Sequence, residues 1–183
     1  MSDYQEKLDI VDENDNIIGE DTRENVHKKG LLHREIHVWI YNDKGEILFQ
    51  KRSHNKDTFP GLLDVSVGGH VERGETYEQA AVAELEEETG LKASKDDLYF
   101  IKKVRRKAFD ESTRMTNNVF RMIYAYKYDG TQKLRLEKGK ADNLEFWPFS
   151  KLLNPTEEDK KKFIPSLLSD EYIEIYQKLQ TLL

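Results

Sequence analysis

Three carboxylates, Glu84, Glu87 and Glu88, stand at positions i, i+3 and i+4 of one short segment. On a helix they share a face, with Cβ atoms roughly 5–6 Å apart. Neither Lys nor Arg occurs between Glu75 and Gly90, so the segment itself offers nothing to offset the repulsion. Like charges at this spacing destabilise a helix by about a few tenths of a kcal/mol. A hard divalent cation is the simplest compensation, and Mg²⁺ is held by a few carboxylates together with substrate phosphates. These residues point to metal-assisted chemistry on a diphosphate. The competing reading is a solvated acidic face, the usual fate of a charge run. Against it stand the missing basic partners, the glycine pair Gly68-Gly69, which lets backbone approach a ligand, and a further carboxylate at Glu75.

The elements around this segment must position it. Leu8 and Val11, the polar run 13–16 and then Ile17-Ile18 read as a small hairpin, because Asn and Asp tolerate turn geometry. Ile36, Val38 and Ile40 alternate with His37, Trp39 and Tyr41 as in a strand, and residues 46–51 return after the turn at 42–45. Leu63, Val65 and Val67 alternate into the glycine pair. Glu75 or Thr76 opens the acidic helix, Tyr77, Ala81 and Leu85 carry its apolar stripe, and Gly90 ends it. Residues 98–104, 119–128 and 144–149 read as further strands. Ile173, Tyr176, Leu179 and Leu183 mark a C-terminal helical stripe within a helical segment of about 155–183. Strands and helices mix without strict alternation, which predicts an α/β (α+β) fold with a mixed sheet covered on both faces.

The 183 residues suggest one domain, residues 1–183, and 37% hydrophobic with 35% charged residues marks a globular chain. A net charge of -6 disfavours a nucleic-acid polymer as partner. The absence of Cys excludes disulfides, thiolate metal sites and a cysteine nucleophile. The charged start of the chain does not look like a signal peptide, and no apolar run is long enough for a membrane helix, so a cytoplasmic location is expected. The basic run 102–107 reads as an exposed strand edge, or else as a patch steering anionic substrates. Trp39, Phe49, Phe59, Trp147 and Phe149 read as core, with a base-binding slot as the alternative.

Residues 69–91 resemble the Nudix box, in which Gly, five residues, Glu, seven residues and Arg-Glu precede an aliphatic residue, a pair of glutamates, Gly and a second aliphatic residue. Gly69, Glu75, Glu84, Leu85, Glu87, Glu88, Gly90 and Leu91 fall in register. The resemblance implies a Nudix-type α/β/α sandwich and Mg²⁺- or Mn²⁺-dependent attack of water on a diphosphate. It assigns Glu84, Glu87, Glu88 and the carbonyl of Gly69 to the metal. Glu84 or Glu87 is the first candidate for the base, and Glu145 a distant one. Ala83 stands where the family has an Arg that orients the glutamates, and Arg73 is the candidate to replace it.

Residues 5–150, with HKKGLLHREIHVWIYNDKGEILFQKRS among their motifs, further resemble the branch close to type I isopentenyl-diphosphate isomerase. That resemblance implies additional metal ligation by His27, His33 and His70, and diphosphate contacts from Arg52 and Lys56. For the histidines, surface or hydrogen-bonded core positions are the alternatives; for the basic residues, a solvated hairpin end. The isomerase needs a Cys before the Gly-His pair, where this chain has Gly68, and a Glu-x-Glu pair where it has Asn117-Asn118-Val119. Proton transfer at two faces of an alkene therefore lacks both partners. Hydrolysis of a small nucleoside-diphosphate-like substrate by a monomer or homodimer is the expectation. An isomerase-like protein and a catalytically weak nucleotide-binding module are the alternatives.

Overall fold

Ile36, Val38 and Ile40 face one side of a strand and Trp39 and Tyr41 the other, all of them buried, which makes the segment an interior strand. The computed structural model describes residues 5–55, 58–137 and 139–183. Its elements run β1 (Lys7–Val11), β2 (Ile17–Thr22), α1 (Arg23–Lys29), β3 (His33–Asn42), β4 (Glu46–Arg52), β5 (Leu63–Asp64) and β6 (Val67–His70). Then follow α2 (Tyr77–Thr89), β7 (Leu98–Asp110), β8 (Met115–Tyr128), β9 (Ala141–Pro148), α3 (Phe149–Leu153), α4 (Glu157–Lys160) and α5 (Asp170–Gln180). Among the described residues β1 and β2 pair as a ribbon and the other seven strands form one sheet. The sheet is mixed: β3 runs parallel to β8 and antiparallel to β4 and β6.

Helices cover both faces. On one, Trp39, Phe49, Ile123 and Trp147 pack with Tyr172, Ile175 and Tyr176 of α5. On the other, Ile36, Val38 and Leu48 pack with Tyr77, Ala81 and Leu85 of α2. The strand aromatics Trp39, Phe49 and Trp147, together with Phe149 on α3, are core, while Phe59 is 47% exposed. No helix among the described residues is long and apolar enough to cross a membrane.

Two local expectations shift. The alternation through residues 63–67 is not one strand. β5 pairs with β4 and β6 pairs with β3, so the chain crosses between partners at Val65-Ser66. Buried Ser66 fills the gap: its hydroxyl accepts from Ile40 N at 3.0 Å and donates to the Leu48 carbonyl, and its own carbonyl accepts from Gln50 Nε2 at 2.8 Å. β3 and β4 touch only at Tyr41–Ile47 and Asn42–Glu46, and their divergence opens a fissure in the sheet. The C-terminal stripe is rotated: Tyr172, Ile175, Tyr176 and Leu179 are buried, whereas Leu183 lies past the helix and is 53% exposed.

β7 is an edge strand, and its basic run is occupied. Lys102, Lys103, Arg105 and Arg106 pair with Glu174, Asp15, Glu13 and Glu171, tying α5 and the β1–β2 turn to the sheet. That leaves little unpaired charge to steer a substrate. Asp15 also accepts from Arg34 Nε at 2.7 Å and from the Tyr77 hydroxyl at 2.9 Å, which links the turn to the first residue of α2.

α2 starts at Thr76, whose hydroxyl accepts from Gln79 N at 3.3 Å while Gln79 Oε1 accepts from Thr76 N at 2.8 Å. Gly90 closes the helix at φ 72°, a left-handed position that suits glycine. Thr76→Ala removes one of these reciprocal bonds and is expected to cost about 1 kcal/mol in urea unfolding.

Candidate metal and diphosphate site

α2 lies over β6 with Glu84, Glu87 and Glu88 lining a cleft of about 1050 Å³. Burial grades across them: Glu88 is 2% exposed, Glu84 is intermediate and Glu87 is exposed. Glu88 Oε2 accepts from Gln50 Nε2 and, at 3.4 Å, from Gly68 N, so the sheet fissure and the glycine pair hold it. Glu84 lies across Gly69, where an added Cβ would fall 2.0 Å from Glu84 Oε1. Only glycine leaves that carboxylate its place. Glu75 does not join them; it accepts from Glu72 N at 3.2 Å within the loop.

The charge is answered from outside the helix. Lys140 Nζ lies 3.3 Å from Glu84 Oε2 and 3.4 Å from Glu137 Oε2, and pairs with Glu88 Oε1. Arg73 instead pairs with Glu20, so it does not take the place left by Ala83. Sequence reasoning missed Lys140 because nothing local marks a Lys 52 residues beyond Glu88 (140 − 88) as its partner. Burial pushes the Glu84 carboxyl up to about 8, with Glu88 and Glu87 adding to the shift and Lys140 opposing it. Burial also raises Glu88 against the pull of Lys140.

His27, His33 and His70 come together where α1, β3 and β6 meet, with one ring nitrogen of each within 4.8 Å of the others. The Nδ1 atoms of His27 and His33 face the Arg23 and Leu31 carbonyls at 2.8 and 3.0 Å. A carbonyl only accepts, so each Nδ1 carries the hydrogen and each Nε2 presents a lone pair, as in histidines that ligate metals. His33 Nε2 is buried without a partner, and His70 Nε2 lies 3.3 Å from His27 Nε2. Burial lowers all three, His33 to about 4 and His70 well below the usual histidine range, so the rings are neutral.

Toward α5 the cleft wall is polar. Arg121 pairs with Glu35 at 2.8 Å and donates to the Tyr172 hydroxyl at 2.9 Å. Burial alone would raise Glu35, but the Arg121 guanidinium holds it at about 2. His37 Nδ1 and Asn117 Oδ1, both on cleft-lining residues, are buried without partners. A Cβ on Gly68 would meet His37 Cδ2 and Val65 Cγ1 at 3.3 Å. Arg52 lines the cleft with Nη1 on Asp64 at 2.8 Å and Nε on the Thr58 carbonyl at 3.0 Å. Lys56 lies outside the described residues. Glu145 projects from β9 to the α5 face with Trp147 and does not line the cleft, which removes it as a candidate base.

The NUDIX domain model matches residues 31–167. The chain belongs to the Nudix family. An isopentenyl-diphosphate Delta-isomerase 2 from Photorhabdus laumondii is 34% identical over 140 residues, 76% of this chain and 72% of that protein. An uncharacterized Nudix hydrolase from Clostridium acetobutylicum is 42% identical over 97 residues, 51% of this chain and 47% of that protein. The chain spans about half the length of this and other such curated Nudix relatives. A crystal structure from Deinococcus radiodurans aligns with a TM-score of 0.65 at 26% identity, covering 94% of this chain and 98% of that one.

Nudix hydrolases use divalent metal ions, and the donor set here fits one: hard carboxylate oxygens of Glu84, Glu87 and Glu88 lining one cleft, beside a side-chain-free Gly69. In the metal-free protein Glu84 binds a proton more readily when folded than when unfolded. Its favourable contribution is thus complete below its ordinary value of 4.5 and is lost as pH rises through about 8. Glu84→Gln is expected to melt higher than the parent at about pH 9 without metal, with the gap closing toward about pH 4. Thermal melts across that range check it.

Proposed function

We propose that the protein hydrolyses the diphosphate bond of a nucleoside-diphosphate-like substrate with Mg²⁺ or Mn²⁺. The supporting observation is that Glu84, Glu87 and Glu88 stand on one face of α2 and open into one cleft beside Gly69. Those three carboxylates and the Gly69 carbonyl hold the ion. When bound, the ion screens phosphate charge and lowers the pKa of water. Glu87, the exposed member, or Glu84 accepts the proton of the attacking water. The Arg52 guanidinium, oriented by Asp64 and Thr58, directs its remaining N–H groups at the diphosphate as charge-assisted donors. Neutral His27, His33 and His70 offer a second set of metal donors suited to a transition metal.

The polar wall favours a nucleoside-like group over a hydrocarbon chain. The Arg121 guanidinium, the Glu35 carboxylate and the Tyr172 hydroxyl on that wall suit the hydroxyls and ring nitrogens of a nucleoside, whereas an isopentenyl tail would set hydrocarbon against them. Isomerisation is the second reading, carried by the histidine triad and the isomerase relative, but Gly68 offers no thiol and Asn117-Asn118 no acid. Proton exchange into isopentenyl diphosphate in deuterated water would revive it.

Nucleoside monophosphate release from nucleotide sugars, dinucleoside polyphosphates, nucleotide cofactors and deoxynucleotides, with and without Mn²⁺, tests the first reading, since breaking an internal diphosphate bond frees a phosphate monoester. Metal-dependent release from at least one class is expected; none across the panel would favour a binding module over an enzyme. Converting both Glu87 and Glu88 to Gln is expected to abolish that release, with circular dichroism checking that the fold is kept. Surviving turnover would place the site elsewhere.

A further inference from the structure

Lys140 sits on a turn next to Gly139, whose φ is 85°, immediately before β9. Its ammonium is ringed by Glu84, Glu88 and Glu137, the first two of them on α2. Glu88 is almost inaccessible, so this is not an ordinary surface pair, yet the Lys140 side chain keeps 34% of its exposure. The ammonium therefore touches two of the carboxylates that the proposed reading gives to the divalent ion, and it reaches them from the open side of the cleft.

We infer that Lys140 is a tethered competitor of the metal: it neutralises the carboxylates in the ion's absence and must withdraw when the ion binds. The inference rests on the metal site proposed above. A second cation cannot approach Glu84 and Glu88 closely without meeting the ammonium already there, and like charges at contact repel strongly in a partly dehydrated cleft. A Lys can leave without unfolding, since its charge rides on a flexible four-carbon stem. Metal affinity in this chain is thus set partly by a side chain that binds no metal, and Lys140 acts as a positioning residue.

The test is Mn²⁺ binding by calorimetry to the parent, Lys140→Met and Lys140→Arg, without substrate. Lys140→Met is expected to bind Mn²⁺ about ten-fold tighter and to melt lower without metal, while Lys140→Arg stays near the parent. Equal or weaker binding by Lys140→Met, with the parent binding normally, overturns the inference and leaves the metal site standing. Absence of Mn²⁺ binding in all three overturns both. The unaltered protein supplies a second measurement, independent of whether the variants fold: the Lys140 amine is expected to label faster with an amine-reactive reagent once Mn²⁺ is added, as read by mass spectrometry. Unchanged or slower labelling counts against displacement.

Discussion

Acidic side chains packed on one helical turn persist only if something answers their charge, and in this protein that requirement organises the cleft. Glu88 is buried on the inner side, where Gln50 and Gly68 donate to it, and Lys140 faces it from the outer side. Both supports come from outside α2. The helix contributes the carboxylates, but the sheet fissure and the turn before β9 decide whether they can stay ionised together.

The fissure follows from the crossing at Val65-Ser66. A continuous strand there would pair with one neighbour and leave no opening. By changing partner, the chain brings Gly68 and Gly69 under α2 and leaves Gln50 free to reach both Ser66 and Glu88. The same divergence admits the cleft toward Glu35, Arg121 and Tyr172 on the other face. Carboxylates from one layer and polar groups from the other thereby line a single space.

Features resting on near neighbours were legible in the sequence. The cap at Thr76, the stop at Gly90 and the shared face of Glu84, Glu87 and Glu88 follow from helical periodicity and backbone preference. The β1–β2 turn follows from its Asn and Asp content. What failed depended on distant pairing. Alternation through residues 63–67 looks the same whether the strand keeps or changes its partner. Ile173 and Leu183 satisfy a helical period, yet which arc faces the core is settled by Trp39 and Phe49 on the sheet, which select Tyr172, Ile175 and Tyr176. Lys140 had no local mark at all. Arg73 lies nearer in sequence, but Glu20 on β2 captures it.

Gly68 carries a consequence for how this chain stands to its isomerase relative. Any Cβ there would already press on the imidazole of His37, and a sulfur atom would reach further still. A side chain at this position therefore requires His37 or Val65 to give by a few tenths of an ångström. Positions 68 and 37 are thus coupled through one contact, so a bulkier residue at the first is best tolerated with a smaller or shifted ring at the second.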